Sequence, residues 1–137
     1  MATRHNARNA KVEIDYTDLM NLANRSDFID IVAIDPQPGW PPERYLITFT
    51  CAGIARIDSG GAPIVSTHHQ VELYLSADYP ARFPSLVWRT EIWHPNIDHQ
   101  EPRHVCMDEV TTFFPGKPLS EVVIALVYRF SKIYPYS

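Results

Sequence analysis

Three runs of alternating residues, Phe28 to Ile34, Glu43 to Cys51 and Gln70 to Ser76, are broken by segments rich in proline and glycine, and this pattern constrains the fold most. In the second run Tyr45, Ile47, Phe49 and Cys51 fall on one side and Leu46, Thr48 and Thr50 on the other, the period of two that a strand imposes. The breakers include Asp35-Pro36-Gln37-Pro38-Gly39 and Asp58-Ser59-Gly60-Gly61. Consecutive strands joined by short turns predict an antiparallel meander, to which Ser85 to Arg89 adds a fourth short strand.

Helices are expected on either side of the meander. Val12, Tyr16, Leu19, Met20 and Ala23 recur at i, i+4, i+7, i+8 and i+11, one stripe of a helix ending near Asn24-Arg25-Ser26. Leu119, Val122, Val123, Leu126, Val127 and Phe130 repeat the pattern on a second helix that ends before Pro135. The expected fold class is α+β: N-terminal helix, four-stranded antiparallel meander, long structured loop, C-terminal helix. Residues 1–137 read as a single domain, with 1–10 a flexible or helix-extending segment.

Composition bounds what such a domain does. At 137 residues the chain buries close to ~70% of the surface its unfolded form exposes, so one core holds it without staples. Cys51 and Cys106 stand far apart, and the start, Met1-Ala2-Thr3-Arg4-His5-Asn6, has no apolar run of the kind that directs secretion. A cytoplasmic, reducing setting is expected. Net charge is −4 with no basic stripe, which argues against nucleic acid. No apolar run approaches the ~20 residues that span a bilayer, so no membrane partner is expected. Arg4, Arg8 and Lys11 form a basic cluster that is either a solvated face or a docking surface for an acidic partner. Cys51 alternates with core positions and reads as a small buried hydrophobe.

From Thr90 to Lys117 regular patterning stops, although Trp93, Ile97, Val105, Val110, Phe113 and Phe114 supply apolar anchors. Long irregular segments in compact domains tend to be functional. This one holds Cys106 and, ten positions upstream of it, Asn96. A thiol near an amide on such a stretch points to acyl transfer through a thioester.

The run Tyr79-Pro80-Ala81-Arg82-Phe83-Pro84-Ser85-Leu86-Val87-Trp88-Arg89-Thr90-Glu91-Ile92-Trp93-His94-Pro95-Asn96-Ile97 resembles the ubiquitin-conjugating enzyme family. It matches, without a gap, that family's Tyr-Pro-x-x-x-Pro segment, fourth strand and His-Pro-Asn motif, and Val105-Cys106-Met107-Asp108 follows as Val-Cys-x-Asp. The resemblance extends in element order from Phe28 to Phe130 and is close from Asp78 to Asp108. It implies the UBC fold, with Cys106 accepting a ubiquitin-like modifier as a thioester from an activating enzyme and passing it to an amine of a target protein. It implies that Asn96 either donates a hydrogen bond to the developing oxyanion or fixes the loop that does so. His94 and Pro95 shape that loop, and Asp108 caps the following turn or holds the Cys106 loop. The cluster of Arg4, Arg8 and Lys11 becomes the expected docking surface for the activating enzyme. No cofactor and no metal are required.

The chemistry is sound on general grounds. A thiol, with a pKa of ~8.5, leaves more readily than an amine at ~10.4, so the tetrahedral intermediate collapses toward the amide. The larger cost is neutralising the incoming lysine at pH 7, about 4.6 kcal/mol unless desolvation or a carboxylate helps.

Several features depart from the family pattern. The stretch Asp98 to His104 is about two residues longer than usual, and Ala81 stands where an aromatic residue helps grip a ligase, so RING-type ligase docking is not implied. The chain stops after its second long helix, where family members continue with two more and an acidic residue near the lysine. These departures resemble the minimal bacterial members found in ubiquitin-like conjugation operons of antiphage defence. Three other readings stand beside the enzyme: a non-catalytic modifier-binding module on the same fold, a zinc site from His94, His99, His104 and Cys106, and a Cys/His hydrolase. The zinc reading fits no standard ligand spacing. The hydrolase lacks a Gly-rich oxyanion turn.

Overall fold

A computed structural model describes residues 3–90, 92, 97, 100–105, 107 and 112–133, with side chains at 3–6, 53, 54 and 131–133 left out. Helix α1 (Thr3–Arg25) leads into strands β1 (Ile29–Ala33), β2 (Arg44–Ile57), β3 (Pro63–Tyr74) and β4 (Ser85–Trp88), and helix α2 (Leu119–Ile133) follows. The strands form one sheet in the order β1-β2-β3-β4, each neighbouring pair antiparallel, so the expected meander is what forms. Among the described residues no helix is long and apolar enough to cross a membrane.

The central hairpin is longer than the alternation predicted. β2 runs six residues past Cys51 and β3 starts seven before Gln70. The reach beyond Thr50 was hidden because Ala52, Gly53 and Ala55 are poor strand formers, and the pairing shifts register between Thr50 and Gly53 and again between Ile54 and Arg56. Here pairing between the two strands overrides propensity. Asp58 closes the turn by accepting the amides of Gly60 and Ala62 at 2.9 and 2.8 Å, and Gly61 takes φ +85°, which a side chain would resist.

Inward-facing Tyr45, Ile47, Phe49, Val71, Leu73, Leu86 and Trp88 meet one stripe from each helix. On α2 the buried positions Leu119, Val122, Val123, Leu126 and Phe130 are those the period indicated. Its first turn is held by Asp18 of α1, whose carboxylate accepts the Ser120 amide at 2.7 Å and so serves as a cap from another element. Near the far end of the sheet, Trp88 stacks obliquely on Phe130 at 4.6 Å and meets Phe49 edge-on at 5.7 Å. His69 lies against both Phe49 and Trp88 and shares its Nε2 with the Cys51 carbonyl at 2.9 Å.

On α1 the buried face differs from the expected stripe. Val12, Asp15, Leu19 and Leu22 are buried, whereas Tyr16 is 39% exposed. The period was right and its phase was turned by a carboxylate, because Asp15 is fully buried and fully partnered. It accepts hydrogen bonds from the Tyr79 hydroxyl at 2.5 Å and the Lys11 ammonium at 2.7 Å. Lys11 also donates to the Lys117 carbonyl at 2.9 Å and lies 5.6 Å from the centre of the Tyr79 ring. Burial and the neighbouring carboxylate raise the Tyr79 pKa, which keeps the phenol a donor.

Two measurements follow. Replacing Asp15 with Ala strands the Lys11 charge and should cost about 3 kcal/mol in urea unfolding, while Tyr79→Phe should cost about 1–2 kcal/mol. The double variant should lose less than the sum, as coupled partners do. Burial lowers the His69 pKa, so the unfolded chain takes up a proton first. Stability should therefore be full above the ordinary histidine value of about 6.5, fall as pH drops below it and level off under the folded-state value. Between about pH 7.5 and 5.5 the wild-type urea midpoint should fall further than that of His69→Gln.

Candidate active site

The segment Thr90 to Lys117, expected to be irregular, is partly ordered against β4. The Trp88 amide donates to the Arg103 carbonyl and the Val105 amide to the Leu86 carbonyl, both at 2.9 Å. Val87 pairs with His104, and Ile97 pairs with Val105, each across an isolated antiparallel bridge. The second bridge joins the two parts of the sequence motif, since Ile97 ends the His-Pro-Asn-Ile run and Val105 begins Val-Cys-x-Asp. Val105 as a strand-like residue was the sequence signal for this pairing, but with Arg103 and His104 before it the stretch was too short to show a period.

Apolar side chains clamp both parts to the body of the protein. Ile97 and Met107 are each 5% exposed, and Ile92, Val105 and Phe113 pack against the core from its margin. Arg103 fastens the longer stretch from outside, donating to the Arg89 carbonyl at 3.2 Å and pairing with Glu101 at 3.2 Å. Cys106, Asn96, His94, Pro95 and Asp108 themselves lie outside the described residues. The proposed zinc ligands His94, His99 and Cys106 do as well, and His104 is an exposed residue on the β4 bridge.

Cys51 is a contrasting thiol. It is half-buried at the margin of the core, and burial pushes its pKa up, which disfavours the thiolate that any nucleophile requires.

The basic cluster on α1 is not an open cationic face. Arg8 donates to the Ser76 carbonyl at 2.7 Å and pairs with Glu43 at 2.6 Å, while Lys11 turns in to Asp15 and the Lys117 carbonyl. Both side chains are mostly buried, at 14% and 15% exposure, and they bind α1 to the end of the sheet. The side chain of Arg4 lies outside the described ones. Beside Arg8 opens a surface hollow of about 770 Å³, lined by Ala7, Ala77, Tyr79, Ala81 and Pro115 among others. Its rim is stiffened by aromatic contacts of Phe113 with Tyr79 at 6.2 Å and with Phe83 at 5.4 Å. The small side chain of Ala81 leaves this hollow open.

Comparison with known proteins gives this arrangement a context. No family model matches the chain. Ubiquitin-conjugating enzyme E2 13 of Saccharomyces cerevisiae is 28% identical over 93 residues, which span 67% of this chain and 60% of the yeast protein. Human ubiquitin-conjugating enzyme E2 G1 superposes with a TM-score of 0.63 at 20% identity, covering 88% of this chain and 91% of that structure. The E2 domain of a Toxoplasma gondii ubiquitin-conjugating enzyme also gives 0.63, at 16% identity, over 93% of this chain and 77% of its own. A Plasmodium vivax ubiquitin-conjugating enzyme gives 0.56 at 14% identity, over 85% of this chain and 98% of its own. An N-terminal helix, a four-stranded antiparallel meander and a C-terminal helix, superposed over most of their length on these structures, make this the fold of the ubiquitin-conjugating enzymes.

Proposed function

We propose that this protein is a conjugating enzyme that carries a ubiquitin-like modifier as a thioester on Cys106 and transfers it to an amine of a target protein, a lysine by preference. The observation that carries this reading is the bridge between Ile97 and Val105, because the chain neighbours of that pair are Asn96 and Cys106. The bridge thus joins the two halves of the motif, and a thiol and an amide that neighbour it in sequence are the pair of groups that acyl transfer to an amine calls for. The fold supports the reading, and so does the yeast relative, whose similarity spans two thirds of this chain.

In the proposed reaction the activating enzyme delivers the modifier's C-terminal acyl group to the Cys106 thiol. A neutral lysine amine then attacks the thioester carbonyl, the C–N bond forms, the C–S bond breaks, and Cys106 departs as thiolate. Asn96 either donates a hydrogen bond to the oxyanion of the tetrahedral intermediate or holds the loop that does, with His94, Pro95 and Asp108 shaping the surroundings. No cofactor enters. We assign docking of the activating enzyme to the N-terminal end of α1, where Arg4 is the candidate contact and Arg8 and Lys11 brace the surface from within. The absence of an aromatic side chain at Ala81 and the extended stretch from Asp98 to His104 support a place among minimal bacterial conjugation systems of antiphage defence. A neighbouring gene for a modifier ending in glycine, beside one for an adenylating enzyme, would bear this out.

Charging with modifier, activating enzyme and ATP tests the central claim. A band that disappears on adding reductant should form with the wild type and with Cys51→Ala and be absent with Cys106→Ala; an unchanged band in Cys106→Ala refutes the mechanism. In Asn96→Ala, charging should persist while discharge onto free lysine slows by about 10²–10³-fold if the amide serves the oxyanion. Equal binding of modifier with and without Cys106, and no thioester, would instead favour the non-catalytic module.

A further inference from the structure

Two limbs of chain lead to the candidate groups. One leaves β4 through Arg89 and reaches Asn96 seven residues later; the other returns through Glu101 and Arg103 to Val105, whose next residue is Cys106. Acyl transfer asks an amide on one limb and a thiol on the other to act on the same carbonyl group, so the placement of one limb against the other is what the reaction depends on. The bridge between Ile97 and Val105 ties the limbs once. A side chain ties them a second time.

That side chain is Arg103. Its Nη2 donates to the Arg89 carbonyl at 3.2 Å, across 14 residues of sequence. Arg89 is thereby held from both sides, because its own amide donates to the Gln70 carbonyl of β3 at 2.8 Å. The Arg103 carbonyl accepts the Trp88 amide at 2.9 Å, so residue 103 grips the exit of β4 with backbone and side chain together. Only 24% of the Arg103 side chain is exposed, and its Nε lies 3.2 Å from the Glu101 carboxylate, which is 78% exposed. That second contact lacks the alignment of a hydrogen bond, and an ion pair so open to water contributes little. The bond to the Arg89 carbonyl is therefore the one that fastens. It falls in the stretch from Asp98 to His104, which is about two residues longer than the family pattern, and added length raises the entropy that a fastening must offset.

We propose that Arg103 is a positioning residue for acyl transfer: by bonding the Arg89 carbonyl it fixes the limb leading to Cys106 against the limb leading to Asn96. The inference deepens, and rests on, the reading of Cys106 as a thioester carrier assisted by Asn96. Arg103 acts through those two residues and not on the acyl group. Charging draws on the thiol, whereas discharge draws on thiol and amide together, so the loss of Arg103 shows in discharge.

The test follows thioester formation and single-turnover discharge onto free lysine, using the full chain with modifier, activating enzyme and ATP, beside urea unfolding. Arg103→Ala should charge as the wild type does and keep its urea midpoint, because the backbone bonds of residues 103 and 105 to β4 remain. Its maximal discharge rate should fall about tenfold at an unchanged half-saturating lysine concentration, as a small misplacement of reacting groups produces. Arg103→Lys keeps a charged donor and should recover to within about threefold of the wild type. Glu101→Gln should stay within about twofold. In an Asn96→Ala background, Arg103→Ala should slow discharge by less than about twofold more, since both changes remove one shared geometry. Full additivity with Asn96→Ala overturns the inference, as do an unaltered discharge rate, parallel losses of charging and stability, no recovery in Arg103→Lys, or a Glu101→Gln defect equal to that of Arg103→Ala. Each of those outcomes leaves the Cys106 mechanism intact, while failure of the wild type to form any thioester overturns both.

Discussion

A single carboxylate holds three parts of this protein together. Asp15 is buried without exposure, and removing such a group from water costs several kcal/mol unless its oxygens are fully matched. The match comes from Lys11 one turn earlier on α1 and from Tyr79, 64 residues away, while Lys11 continues to the carbonyl of Lys117. α1, the turn after β3 and the approach to α2 therefore share one hydrogen-bonded node. None of the three can shift without exposing an unpaired group to a low-dielectric interior, where it is most expensive. Through Tyr79 the same node also sets one wall of the hollow beside Ala81.

At the other side of the sheet, β4 does two jobs with four residues. Leu86 and Trp88 point into the core, and Trp88 is locked among Phe49, His69 and Phe130. The outer edge of the same strand accepts Arg103 to Val105, which in turn pairs with Ile97. The bridges that flank the candidate active site thus rest on a strand held in place by the aromatic core.

The solved structures superpose at 14–20% identity, which establishes fold and leaves chemistry to be argued from residues. The proposal of a conjugating activity rests on the coincidence of that fold with a His-Pro-Asn run and a Val-Cys-x-Asp run, whose residues Ile97 and Val105 pair across a bridge. Neither the fold nor a short motif would carry the function alone.

Much of the architecture was written in local pattern. Alternation at Tyr45 to Cys51 determined a strand, the repeat from Leu119 to Phe130 determined a helix and its buried face, and the paired motifs pointed to one region of the chain for the chemistry. These are short-range regularities, and hydrophobic burial reads them directly. Tertiary structure decided the rest. It turned α1 so that Asp15 lies inside and Tyr16 outside, drew Arg8 and Lys11 inward, lengthened the hairpin through residues of poor strand propensity, and laid Arg103 to Val105 along β4. Each outcome depends on partners supplied by distant segments: a phenol for the carboxylate, carbonyls for the cations, an open strand edge for the amide. A buried polar group is tolerated only when such a partner is in place, and no window of sequence reveals where that partner will be.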